Sequence, residues 1–149
     1  MKESDGAANA PGLKIVILVT RWNEFVTKQL LEGAIDELEG HHAAVIWVPG
    51  AWEIPIAARK VSLSDDPPDG IVALGCILQG ETPHAAQLTH DVSSALMELQ
   101  MSTGIPIAWG VLTPNTPDQA IDRSGLKHGN KGREAARAAL TMAQMLQDL

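Results

Sequence analysis

Short runs of uninterrupted apolar residues alternate along this chain with longer stretches that place an apolar side chain every three or four positions. "KIVILVT" (14–20) is β-branched and apolar, the pattern of a parallel strand covered on both faces. From Glu24 to about Leu38 the residues Phe25, Leu30, Leu31, Ala34, Ile35 and Leu38 fall at helical spacing, and Gly40 supplies a stop. "AAVIWVP" (43–49) predicts a second strand, followed by the turn "GAWE" and a short helix over 54–61. After the loop "SLSDDPPDG", "IVALG" (71–75) is strand three, Ala85 to Met101 an amphipathic helix, and "IPIAWGVL" (105–112) strand four. A Pro-rich turn "TPNTPD", a short helix over 117–124, the segment "GLKHGNKG" and a last helix over 133–146 follow. This alternation predicts an α/β fold: a doubly wound, four-stranded parallel sheet between two layers of helices, joined by right-handed crossovers.

In such sheets ligands bind beyond the carboxyl ends of the strands. Four loops are expected there: "RWNEF", "PGAWE", "CILQGETPH" and "TPNT". Trp22, Trp52 and Trp109 lie in or just before those loops in a chain with one Phe and no Tyr. Planar faces gathered at one edge suit stacking on a heterocycle, whereas Trp47, inside strand two, reads as core.

Charge sharpens the picture. The 149 residues carry a formal net charge of −7, which argues against a nucleic-acid surface, so an anionic ligand has to be caught by a local cluster of cations. "DRSGLKHGNKGRE" (122–134) supplies one: Arg123, Lys127, Lys131 and Arg133 around three glycines, with Lys131 where a helix N-terminus adds partial positive charge. This is not a Walker A loop, because Gly132 follows Lys131 where Ser or Thr is required. A dinucleotide fingerprint is missing after strand one, so the expected ligand is a smaller phosphate.

His84 stands at the end of the strand-three loop, and an imidazole is the side chain best suited to give and take protons there. His90 is six residues on, and "HAAQLTH" fits no zinc spacing; His41 and His42 read as an exposed turn pair. Cys76, the single cysteine, reads as a small buried residue. It excludes an internal disulfide and fits a reducing, cytoplasmic compartment. No apolar stretch approaches the ~20 residues of a membrane span. "MKESDGAANAPG" reads as a flexible arm (1–12) ahead of one domain (13–149), and is neither a secretory signal nor a transit peptide.

The blocks "RWNEF", "LLEGAIDEL", "VPGAWEIPIAA", "ALGCILQGETPH", "GIPIAWGVLT", "QAIDRSG" and "GNKGREAA" resemble, in order and spacing, those of the 6,7-dimethyl-8-ribityllumazine synthases across about residues 14 to 146. The resemblance implies a flavodoxin-like fold assembled into pentamers, with active sites shared between neighbouring subunits and no metal or organic cofactor. It implies condensation of 5-amino-6-(D-ribitylamino)uracil with 3,4-dihydroxy-2-butanone 4-phosphate, the penultimate step of riboflavin synthesis. By the same resemblance Trp22 stacks on the pyrimidine, Ala51, Trp52 and Glu53 hold the ribityl chain, and backbone groups of Ile77 and Leu78 read the uracil edge. Gly80, Glu81 and Thr82 wall the phosphate site. Arg123 binds phosphate from the adjacent subunit, accompanied by Trp109 and Lys131, and His84 transfers protons.

The chain departs from the family pattern after His84. "HAAQL" stands where an aromatic, an acid and another aromatic are usual, which makes Glu134 a candidate to orient His84. The departure also motivates an alternative: a catalytically weak shell or flavin- and pterin-binding protein. A response-regulator-like module shares the layers, but it needs an acidic pair after strand one and an aspartate at the end of strand three, and "TRWNEF" and "GCILQG" supply neither. Within the family it resembles, a short connection between the last two helices goes with sixty-subunit icosahedral shells; "RSGLKHGNKG" has no insertion, so the resemblance permits such a shell, and it also implies association with a riboflavin synthase.

Overall fold

A computed structural model describes residues 12–80, 83–125 and 129–149. Strands β1 (Lys14–Thr20), β2 (His42–Val48), β3 (Gly70–Cys76) and β4 (Ile107–Leu112) alternate with α1 (Glu24–Glu37), α2 (Ile54–Ser62), α3 (Ala85–Thr103), α4 (Pro117–Arg123) and α5 (Lys131–Asp148). A single 3₁₀ turn over Ala51–Glu53 leads into α2. All strand pairs are parallel, in the order β2-β1-β3-β4, the expected three-layer α/β fold with its four-stranded sheet.

Alternation along the strands divides the core in two. Ile15, Ile17, Val19, Val72 and Leu74 pack with Leu30 and Ala34 of α1 and with Ala136 and Ala139 of α5. Val16, Leu18, Ile71 and Ala73 turn to the opposite face and pack with Ile54 and Ala58 of α2 and with Val92 and Leu96 of α3. The helices after β1 and β3 therefore leave the sheet on opposite faces. That divergence opens a crevice beyond the carboxyl ends of these two neighbouring strands.

Several boundaries and environments differ from the sequence expectation. Strand four begins at Ile107, not Ile105, because Ile105 N–H donates to the Thr103 hydroxyl and Pro106 has no N–H to donate. The last helix begins two residues early, at Lys131, capped by the Asn130 side chain. β2 is an edge strand whose residues from His42 to Ile46 are exposed. Phe25 and Ile35, although at helical spacing, lie on the outer side of α1. His41 is half-buried and its Nδ1 accepts from Leu13 N–H, while His42 opens β2, so the two are not a solvated turn pair. Trp47 is half-buried at the margin of the core, with the Arg21 guanidinium 5.0 Å from its ring centroid.

Candidate functional site

The loops at the crevice are tied together through backbone groups. Arg21 and Trp22 N–H donate to the Val48 and Pro49 carbonyls, joining the loop after β1 to the loop after β2. Asn23 takes a left-handed conformation (φ 61°) and donates from Nδ2 to the Cys76 carbonyl at 3.0 Å, which reaches across to β3. Asn is among the few residues that adopt this conformation readily. Gln79 secures the third loop: its side chain donates to the Ile77 carbonyl and the Thr89 hydroxyl, and its N–H to the Pro114 carbonyl.

These ties frame a cleft of about 590 Å³. Trp22 and Asn23 come from the loop after β1, Gly50 to Glu53 from the turn after β2, and Cys76, Ile77 and Leu78 from the end of β3. One face of α3 closes it with His84, Gln87, Leu88 and Asp91. Ala51 is buried and Glu53 half-buried, whereas Trp22 and Trp52 are 72% and 66% exposed. Both indoles therefore present free faces to a ligand or another chain. His84 precedes α3, and its imidazole makes no capping bond to the helix. Ile77 N–H donates to the Leu112 carbonyl, so at Ile77 only the second lone pair of its carbonyl remains for a ligand.

The remaining site residues are elsewhere. Trp109, Arg123, Lys131 and Glu134 line a second cleft of about 440 Å³ beside β4, with Leu112 and Thr113. Trp109 sits within β4 opposite Ala73, ahead of the loop that follows the strand. Arg123 ends α4 and is exposed, and Lys131 is the first residue of α5, so the α5 dipole adds to its positive charge. Glu134 shares this cleft and is not among the residues around His84, so within one chain it does not orient that imidazole. Gly80 (φ 88°) turns the chain beyond β3 and lines neither cleft; Glu81, Thr82 and Lys127 lie outside the described residues.

One chain thus carries two separate clefts, one lined by Trp22, Trp52 and His84 and the other by Trp109, Arg123 and Lys131. The first cleft also contains residues the sequence reading passed over: Asn23, Gln87, Leu88 and Asp91. Their signal was available, since 84, 87, 88 and 91 follow the i, i+3, i+4, i+7 rule and must share one helical face.

A doubly wound α/β protein with a cleft at its strand ends belongs to the class that binds small molecules there. The family model of 6,7-dimethyl-8-ribityllumazine synthase matches residues 12–147, and the chain belongs to that family. Membership assigns the protein to riboflavin biosynthesis as a transferase-type enzyme acting on small molecules, and it favours assembly from several chains. Among the described residues, no helix is long and apolar enough to cross a membrane.

Proposed function

We propose that the protein condenses 5-amino-6-(D-ribitylamino)uracil with 3,4-dihydroxy-2-butanone 4-phosphate to give 6,7-dimethyl-8-ribityllumazine. The observation that carries this reading is the division of the family's site residues between two clefts on one chain. The two half-sites complement each other in chemistry and meet when the second cleft of one subunit faces the first cleft of its neighbour, as in a ring of five. Such rings can pack further into an icosahedral shell of sixty subunits that associates with a riboflavin synthase. The compartment consistent with this pathway role and with a single cysteine in the chain is the cytoplasm.

Trp22 stacks on the pyrimidine, the Glu53 carboxylate accepts hydrogen bonds from ribityl hydroxyls in the turn of Ala51 and Trp52, and Leu78 with the Ile77 carbonyl reads the uracil edge. The 5-amino nitrogen attacks the ketone carbon, and His84 protonates the departing oxygen as the carbinolamine loses water to an imine. The butanone C–O bond to phosphate then breaks, its electron pair leaving with the phosphate while a carbon-bound proton is lost. Arg123 and Lys131, arriving with Trp109 from the adjacent subunit, stabilise the departing dianion; Gly80, Glu81 and Thr82 form the facing wall. The resulting enol tautomerises to a carbonyl. The ribitylamino nitrogen attacks it and closes the ring with loss of a second water, so the products are lumazine, phosphate and two waters.

Much of the acceleration comes from holding both substrates in line. His84→Ala is therefore expected to slow turnover by ~10²-fold, the contribution typical of one general acid or base, without abolishing it. The direct test is absorbance at the lumazine band after mixing both substrates with wild type or Arg123→Ala. Formation faster than the spontaneous condensation, and slowed by the substitution, supports the assignment. A wild type that binds the ribitylaminouracil but only matches the uncatalysed rate replaces it with the ligand-binding shell.

A further inference from the structure

Asn130 lines neither cleft, although it directly precedes Lys131. Its side chain nevertheless uses all of its principal hydrogen-bonding directions. Oδ1 accepts from Arg133 N–H at 3.0 Å, capping α5. Nδ2 donates to the Gln29 carbonyl of α1 at 2.8 Å and to the Ser124 carbonyl at 3.1 Å. Two carbonyls on one side and an N–H on the other fix the orientation of the amide, since its two N–H donors and its oxygen each meet a complementary group.

What these bonds join is the point of interest. Ser124 directly follows Arg123, and Asn130 directly precedes Lys131; the same two residues form an isolated antiparallel bridge. The amide thus joins the residue after Arg123 to the residue before Lys131 and anchors both to α1. The surroundings are shaped for this side chain. A Cβ at Gly33 would fall 2.3 Å from Asn130 Cγ, and one at Gly125 would fall 2.9 Å from Nδ2 at a backbone φ of +102°. Capping alone does not require asparagine, because Ser or Asp caps a helix comparably. The pair of N–H donors is the part that only the amide brings.

We propose that Asn130 is a positioning residue of the anion half-site: by clamping Ser124 and α1 to the start of α5, it sets the separation and direction of Arg123 and Lys131. The inference rests on the proposed function for the identity of the anion, a phosphorylated substrate, and on the hydrogen-bond geometry for the clamp itself. A spread pair of cations still attracts an anion, but it no longer presents donors at the spacing of adjacent phosphate oxygens.

The test uses Asn130→Ser, which keeps a capping oxygen, adds no charge and removes both amide N–H donors. Orthophosphate binding to the assembled protein is measured by calorimetry, and KM is measured separately for each substrate. The expected result is about ten-fold weaker orthophosphate binding and about ten-fold higher KM for the butanone phosphate, with KM for the ribitylaminouracil changed less than about two-fold. In an Arg123→Ala background the same substitution should cost little further affinity, because it acts through that cation. A variant that only melts earlier with unchanged phosphate affinity overturns the inference, as does an equal rise in both KM values or a penalty undiminished beside Arg123→Ala. If Asn130→Ser does not fold, Gly33→Ala, which pushes on the amide without altering a polar group, is judged by the same titration. Wild type that binds orthophosphate but forms no lumazine refutes the proposed reaction and leaves the titration to decide on Asn130. Wild type that does not bind orthophosphate refutes the clamp's stated role.

Discussion

At the scale of single residues, buried polar side chains hold the loops that carry the site. Thr27 is fully buried, and its hydroxyl donates to the Thr20 carbonyl at 2.7 Å, tying the first turns of α1 to the end of β1 just before Trp22. Thr27→Val keeps the shape and removes the donor, and is expected to lower stability by about 1–3 kcal/mol through the unpaired buried carbonyl. A reduced urea midpoint at unchanged m-value is the reading that checks it. Residues of this kind were the least legible in the sequence. Asn23 and Asn130 each look like ordinary loop asparagines until their partners are known, and those partners, Cys76 and Gln29, lie 53 and 101 positions away. Trp22, Glu53 and His84 were easier to find because they crowd short loops at predicted strand ends and fall in recognisable family blocks.

At the scale of elements, the strands and helices could be read almost throughout, because apolar runs and helical spacing report directly on burial. The misplacements occur where a neighbour overrides the local pattern. Ile105 looks like strand, but the helix preceding it captures its N–H through Thr103. Phe25 looks like core, but α1 faces the sheet with Val26, Leu30 and Ala34 instead. The contact between α1 and α5 is the closest of these packings: a Cβ at Gly132 would stand 2.0 Å from the Leu30 carbonyl oxygen. Since that oxygen belongs to helical backbone, it can yield only if the helices separate. Gly132→Ala is expected to cost about 3 kcal/mol, at the upper end of ordinary overpacking, and to loosen the base of Lys131. Thermal melting, with orthophosphate affinity measured below the transition, checks both consequences. Arg137 also bridges this seam through Glu37, whose hydrogen bond and then its charge raise the arginine's pKa. The arginine is ionised at any working pH, so this pair contributes no pH dependence near neutrality.

At the scale of the whole molecule, the exposed apolar residues have a common explanation. Trp22, Phe25, Trp52 and Ile56 stand in water around the strand ends and α2, and Met97 and Met101 along α3. Trp22 and Trp52 line the first cleft, and large apolar side chains left in water suit a surface that another chain covers, in keeping with a family that favours assembly. Their exposure was not visible in the sequence, because periodicity distinguishes apolar from polar faces but not which apolar residues stay in water. The native mass measured by sedimentation is expected to be about five times the 15.9 kDa of one chain, or a multiple of that, and a monomer would leave the two clefts unconnected.

The central claim is that each reaction centre is assembled from two chains. Complementation tests it most directly: His84→Ala and Arg123→Ala proteins are dissociated, mixed in equal amounts and reassembled, and lumazine formation is followed. If the His84 cleft of one subunit meets the Arg123 cleft of the next, about a quarter of the sites receive two intact halves by chance, and activity rises well above that of either parent. Activity equal to the average of the parents after proven mixing would contradict the account, and would place both residues in a site contained within a single chain.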